Sequence, residues 1–164
     1  MRPMIRNSAQ MTLVSLFSYL CGFQLTNVFH GASAGTGALW SVISGVLVLQ
    51  ATRHATWLSA RVRVLATFVG SVVSAAYLSV WPFSAIGMAV SIFVTVLLCQ
   101  VARIHDHTRP AALTVAVIMV LASLNSTLTP IQGAALRFGE SCVGTAMALF
   151  VILIWPAPRD IAEP

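Results

Sequence analysis

RFGESCVGTAMALFVILIWP, residues 137–156, opens on an arginine and a glutamate three positions later, then runs without a charge to its closing Trp-Pro. One membrane-crossing helix needs about 20 predominantly apolar residues, and this stretch supplies one. Longer charge-free runs lie upstream, at 7–52, 64–102 and 110–136. The first two have room for two crossings each and the third for one, so six are expected in all. Backbone groups inside lipid must be satisfied within their own segment, which makes these runs helices. FVGSVVSAAYLSV (68–80) and AIGMAVSIFVTVLLC (85–99) lack the alternation of a membrane β-strand. The expected fold is all-α and polytopic, with spans at 11–29, 38–52, 64–80, 84–101, 111–127 and 138–155. Short tails at 1–10 and 157–164 would flank a six-helix module at 11–156.

Composition leads the same way. Of 164 residues, 58% are hydrophobic and 8% charged, against roughly a quarter charged in ordinary soluble domains. Mean hydropathy is +0.90. So few charges would not cover the surface of a soluble domain of this size. HGASAGTG (30–37), WPFS (81–84), TRP (108–110), LTPIQG (128–133) and WPAP (155–158) separate the spans, with glycine and proline suited to turns and helix ends. Trp40, Trp57, Trp81 and Trp155 fall near the expected boundaries, where an indole is at home. The start, MRPMIRNSAQMTLVSLFSYLCGF, has the basic and apolar parts of a signal peptide without a clear small-residue cleavage site; it reads as an uncleaved first helix.

The net charge of +5 does not signal nucleic-acid binding. All nine basic residues are arginines, and they sit in short linkers instead of on a basic face. Arginine near span ends meets anionic lipid headgroups and fixes orientation. With both termini in the cytoplasm, every arginine but Arg137 falls on the cytoplasmic side, and an odd number of spans would break that bias.

Arg137 has an explanation inside the chain. RVLATFVGSVVSAAYLSVWP (63–82) matches 137–156 in its leading arginine, its Val-Gly at the seventh and eighth positions and its closing Trp-Pro. The copies are spans three and six and must cross in opposite directions. The chain therefore reads as two inverted three-helix repeats, a plan many transporters use. Arg137 is then the mirror counterpart of Arg63. Small residues recur at four-residue spacing in both copies, as Ala66, Gly70 and Ser74, and as Gly144 and Ala148; such stripes let helices pack closely. Glu140 stands where the first copy has Ala66. Three residues from Arg137, it lies on nearly the same face, and a carboxylate there is tolerable only when paired or facing a wet cavity.

These residues resemble the fusaric acid resistance-like (FUSC) family, related to the aromatic acid exporters and the plant aluminium-activated malate channels. LWSVISGVLVLQ (39–50) is similar to the family's helix that begins with aromatic-Trp and a small residue. The family's Arg-x-x-Gly-Thr-x-x-Gly follows as RVLATFVG, keeping Arg63, Thr67 and Gly70 with Ala66 for the first glycine. RFGESCVG keeps Arg137 and Gly144, with Ser141 for threonine and Glu140 for glycine. The likeness runs over 35–156. It implies an inner-membrane transporter or exporter module for organic, often aromatic, anions. Full members often join two membrane modules or add a cytoplasmic domain, so a homodimer or larger assembly is expected, with membrane lipids as further partners. A passive anion channel, or a non-transporting partner subunit of a larger assembly, are the alternatives.

Candidates for the solute path are Arg63, Arg137 and Glu140, with Gln24 and Asn27, which share a face of the first span and could equally be interhelical glue. His105 and His107 flank Asp106, but alternate loop residues do not ensure convergent ligands, and no metal is expected. Cys21, Cys99 and Cys142 lie far apart in apolar runs and read as small apolar side chains. With four acidic residues, no Ser-His-Asp set and no phosphate-binding loop, neither an enzyme nor a cofactor is expected.

Overall fold

The structure, a computed structural model, describes residues 2–102, 108–124 and 128–155. Every regular element among them is a helix. In chain order these are α1 (Arg2–His30), α2 (Ala34–Val48), α3 (Arg53–Val80), α4 (Ala85–Val101), α5 (Thr108–Leu124) and α6 (Pro130–Ile154), with a single 3₁₀ turn, Gly31–Ser33, between α1 and α2. Three stretches are long and apolar enough to cross a membrane: Ile5–Val48, which holds α1 and α2, then Arg53–Val80 and Pro130–Ile154. The apolar helices α4 and α5 are shorter, at 17 residues each.

Several helices begin earlier than hydropathy alone places them. α1 takes in the expected tail, starting at Arg2 instead of 11. α3 starts at Arg53, because Thr52 accepts at the helix start from the Ala55 amide, 3.2 Å away. α6 starts at Pro130, a residue suited to the first helical position since its missing N–H would have no helical partner there. Arg137 and Glu140 therefore lie two to three turns inside α6 and not at its N-terminus. HGASAGTG is not one loop. Only 31–33 turn, while Gly35 and Gly37 are already helical in α2. α2 in turn stops at Val48, short of the expected 52. The tail 157–164, the 125–127 end of the fifth span and the His105–Asp106–His107 triplet lie outside the described residues.

The chain divides into two compact units. One holds α1, α2, the first residues of α3 as far as Arg61, and α6 from Gly139 onward. Here α1 packs on α2 along small residues. A Cβ on Gly22 would strike the Ser41 side chain, and one on Gly45 would come 2.6 Å from Ser18 Oγ. α6 joins them through Gly144, where a Cβ would collide with the Ser41 carbonyl oxygen. Below this seam Val14, Val48, Ala60, Ala148 and Val151 form an apolar core. Gln10 Nε2, buried, donates to the Trp155 carbonyl at 2.5 Å and ties the start of α1 to the end of α6.

The other unit, 62–138, holds the rest of α3, all of α4 and α5, and the first turns of α6. Its core is Ala66, Cys99 and Ala111 with Val69 against them. Gly70 lets α3 and α5 touch; a Cβ there would sit 2.8 Å from the Ala111 carbonyl oxygen. Ser84 caps α4 by accepting from the Gly87 amide at 3.0 Å. Phe68 of α3 meets Phe138 of α6 edge-on, with ring centroids 5.7 Å apart. α4 buries Gly87, Ser91, Thr95 and Cys99 and turns Ile86, Phe93 and Val101 outward. Small and polar inside, large and apolar outside, is the pattern of a helix whose surroundings are lipid.

Trp40 is not a boundary residue: it sits within α2 and is buried, whereas Trp57, Trp81 and Trp155 are exposed near helix ends.

Candidate functional site

Three charged side chains are buried among the described residues. Arg63 is 3% exposed, Arg137 4% and Glu140 0%. Their burial follows from the residues around them. Arg63 lies on the same helix as the core residues Ala66 and Val69. Arg137 precedes Phe138, whose ring packs on Phe68, so the two arginines come from helices that touch close to both of them, within one unit. Moving a guanidinium out of water is unfavourable unless hydrogen bonds or countercharge replace the lost solvation. Two such groups lie on helices that meet, and the forked guanidinium has the shape to take a carboxylate.

Glu140 belongs to the other unit. Its Oε1 accepts a hydrogen bond of 2.6 Å from Thr26 Oγ1 of α1. Its backbone carbonyl accepts from Ser41 Oγ of α2 at 2.9 Å. One residue on, Ser44 Oγ donates to Ser141 Oγ at 3.2 Å. Gly37 makes the arrangement possible: any Cβ there would collide with both Thr26 Oγ1 and Glu140 Oε1. One carboxyl oxygen is thus held by the Thr26 hydroxyl, and the residue's backbone by Ser41, where α1, α2 and α6 come close.

Of the residues singled out in the sequence, Arg63 and Arg137 share a unit and Glu140 is buried in the other. Gln24 and Asn27 are exposed on α1, and the inward residues beside them are Gly22 and Thr26. Ala66, Gly70, Ser74, Gly144 and Ala148 are all buried, Ala66 and Ala148 in the cores and Gly70 and Gly144 at helix contacts. Sequence reasoning passed over Thr26, Gly37 and Ser41, which make the Glu140 setting. Ser41 carried a signal, since it is the small residue behind Trp40 in the family-like segment. Thr26 carried none, being one hydroxyl among many.

A polar stripe runs along both copies. Arg63, Thr67 and Ser71 follow each other at four-residue steps along α3, and Arg137, Ser141 and Thr145 do so along α6. All six are buried. Four residues advance a helix by about 6 Å and turn it only about 40° past a full turn, so each set forms one slowly turning polar line.

No curated protein and no solved structure matches the chain. The family described as fusaric acid resistance protein-like matches it over residues 10–151, which takes in both buried arginines, Glu140 and all but the ends of the helical module. With apolar helices long enough to cross a membrane more than once and a family match over most of its length, this chain is a multi-pass membrane protein of the fusaric acid resistance protein-like family.

Proposed function

We propose that the protein is a transporter that exports organic anions, aromatic carboxylates among them, across the bacterial inner membrane. The observation that carries this reading is the pair of buried arginines at equivalent positions, Arg63 and Arg137, on helices that meet. A buried guanidinium with no catalytic company is best used to strip and hold a carboxylate.

The scaffold in this reading is six crossings in two inverted three-helix repeats, with both termini in the cytoplasm. Support comes from the composition of the two units. The third helix of the first half, α3, packs with α4 and α5, and the third helix of the second half, α6, packs with α1 and α2. The matching glycines make matching contacts: Gly70 meets the middle helix α5 and Gly144 the middle helix α2. Such an exchange is what duplication followed by mutual packing produces. The 15-residue α2 is about 23 Å long, at the short end for a crossing, and its neighbours must bring its ends to the headgroup level. The working form is a homodimer or larger oligomer.

Uptake or counterflow in proteoliposomes, with a panel of aromatic and dicarboxylic acids, tests the reading. Arg137→Ala is expected to reduce anion flux per folded molecule at least about tenfold, since it removes a charge-assisted contact, and Arg137→Lys to restore part of it. Unchanged flux per folded molecule in Arg137→Ala would remove the arginine from the path.

A further inference from the structure

Helical serines and threonines in this protein satisfy themselves in one habitual way. Thr67 donates to the Arg63 carbonyl, Ser74 to Gly70, Thr95 to Ser91 and Thr114 to Pro110, each four residues back and each at 2.8 Å. This bond is always within reach of a helical hydroxyl. Among the described residues, three buried hydroxyls do not make it or any other hydrogen bond: Ser18, Ser71 and Thr145. Ser18 lies in the close seam between α1 and α2, beside Gly45.

The other two are related to each other. Ser71 follows Gly70 in VGS (69–71), and Thr145 follows Gly144 in VGT (143–145), at the same place in the two matched segments. Ser71 is 6% exposed and Thr145 3%. Each is the last rung of a polar line that begins at a buried arginine. Burying a hydroxyl without a partner is unfavourable, and alanine or valine would pack there without that cost. A buried hydroxyl in both copies at this one place, without a hydrogen bond to its own helix carbonyl, points to a hydrogen-bonding partner from outside the protein.

We propose that Ser71 and Thr145 are solute-contacting hydroxyls, each donating to an oxygen of the organic anion about two turns further along its helix than the arginine that first holds the carboxylate. The assignment rests on the anion-transport reading above and adds to it a second contact on each third helix. The arginine supplies charge and the hydroxyl a neutral donor, so the anion can leave the guanidinium without losing every hydrogen bond.

The test uses the full chain in proteoliposomes with labelled benzoate and labelled succinate as probes. Ser71→Ala and Thr145→Val remove the hydroxyls, Ser71→Thr and Thr145→Ser keep them, and Ser74→Ala is a control that removes a self-satisfied hydroxyl from the same region. Removing either hydroxyl is expected to raise KM for the transported probe about five- to tenfold, the loss of one good hydrogen bond. The unfolding midpoint should be unchanged or higher, because a partnerless buried group has gone. The hydroxyl-keeping variants and Ser74→Ala should stay within about twofold of the parent KM. Unchanged KM in Ser71→Ala and Thr145→Val, with the parent transporting, overturns the assignment and leaves the anion-transport reading intact. A KM rise accompanied by a lower unfolding midpoint also overturns it, since the hydroxyls would then be structural. Absence of flux for both probes in the parent defeats the transport of these anions, and the assignment with it.

Discussion

At the scale of single residues, Glu140 is the most demanding group in the protein. It is fully buried, and Thr26 Oγ1 donates to it at 2.6 Å. Thr26→Val keeps the shape and removes the donor. It is expected to lower stability by about 1–3 kcal/mol, the range for depriving a buried polar group of its partner. Denaturant unfolding of the purified protein would measure it, and a loss well under 1 kcal/mol would show that the threonine is dispensable to the carboxyl. In Glu140→Gln the amide oxygen can still accept from Thr26, so the penalty of adding Thr26→Val should shrink but not vanish. Gln24 and Asn27, three residues apart on the exposed side of the same helix, should tolerate leucine with little change in unfolding.

At the scale of helices, glycine separates close contact from open space. A Cβ on Gly144 would meet the Ser41 carbonyl oxygen, part of a helix backbone that has no flexible end to swing aside. A Cβ on Gly133, in the second turn of the same helix, would meet nothing within 4 Å. Gly144→Ala should therefore push α6 off α2 and destabilise by at least about 1–3 kcal/mol, the usual cost of overpacking. Gly133→Ala should stabilise by about 0.5–1 kcal/mol through helix propensity alone. Opposite signs from one substitution type in one helix would be read directly in paired unfolding curves. Equal effects would mean that α2 and α6 do not approach closely at Gly144. The early start of α6 belongs to this scale too. Arg137 lies too far from the helix N-terminus for the helix dipole, which fades within the first turn, to decide the energy of its neighbour Glu140.

For the molecule as a whole, the six-span arrangement proposed above assigns each connection a side. Ala51, between α2 and α3, should face the cytoplasm, and Gln132, in the first turn of α6, the opposite side. In a background with Cys21, Cys99 and Cys142 replaced by alanine, Ala51→Cys should react with a membrane-impermeant thiol reagent only from the cytoplasmic face. Gln132→Cys should react only from the other. Labelling of both from one face would overturn the six-span count and the inverted repeat together.

The sequence by itself determined that the chain is helical, apolar and built for lipid, because charge-free length is a local property readable without contacts. It also marked Arg63 and Arg137, since a charge beside a long apolar run is conspicuous wherever the helices go. Packing partners were not readable. In a soluble helix an apolar face announces the core, but α4 is large and apolar outward and small and polar inward, so the face that would announce a soluble core is the one turned away from the packing. For the same reason Gln24 and Asn27 drew attention while Thr26, one residue from Asn27, holds the carboxyl. The partner of Glu140 lies 114 residues away in the chain, and Gly37 has its purpose only where Thr26 and Glu140 meet. Only the tertiary structure decides such contacts, because they depend on which backbones approach closely enough to touch.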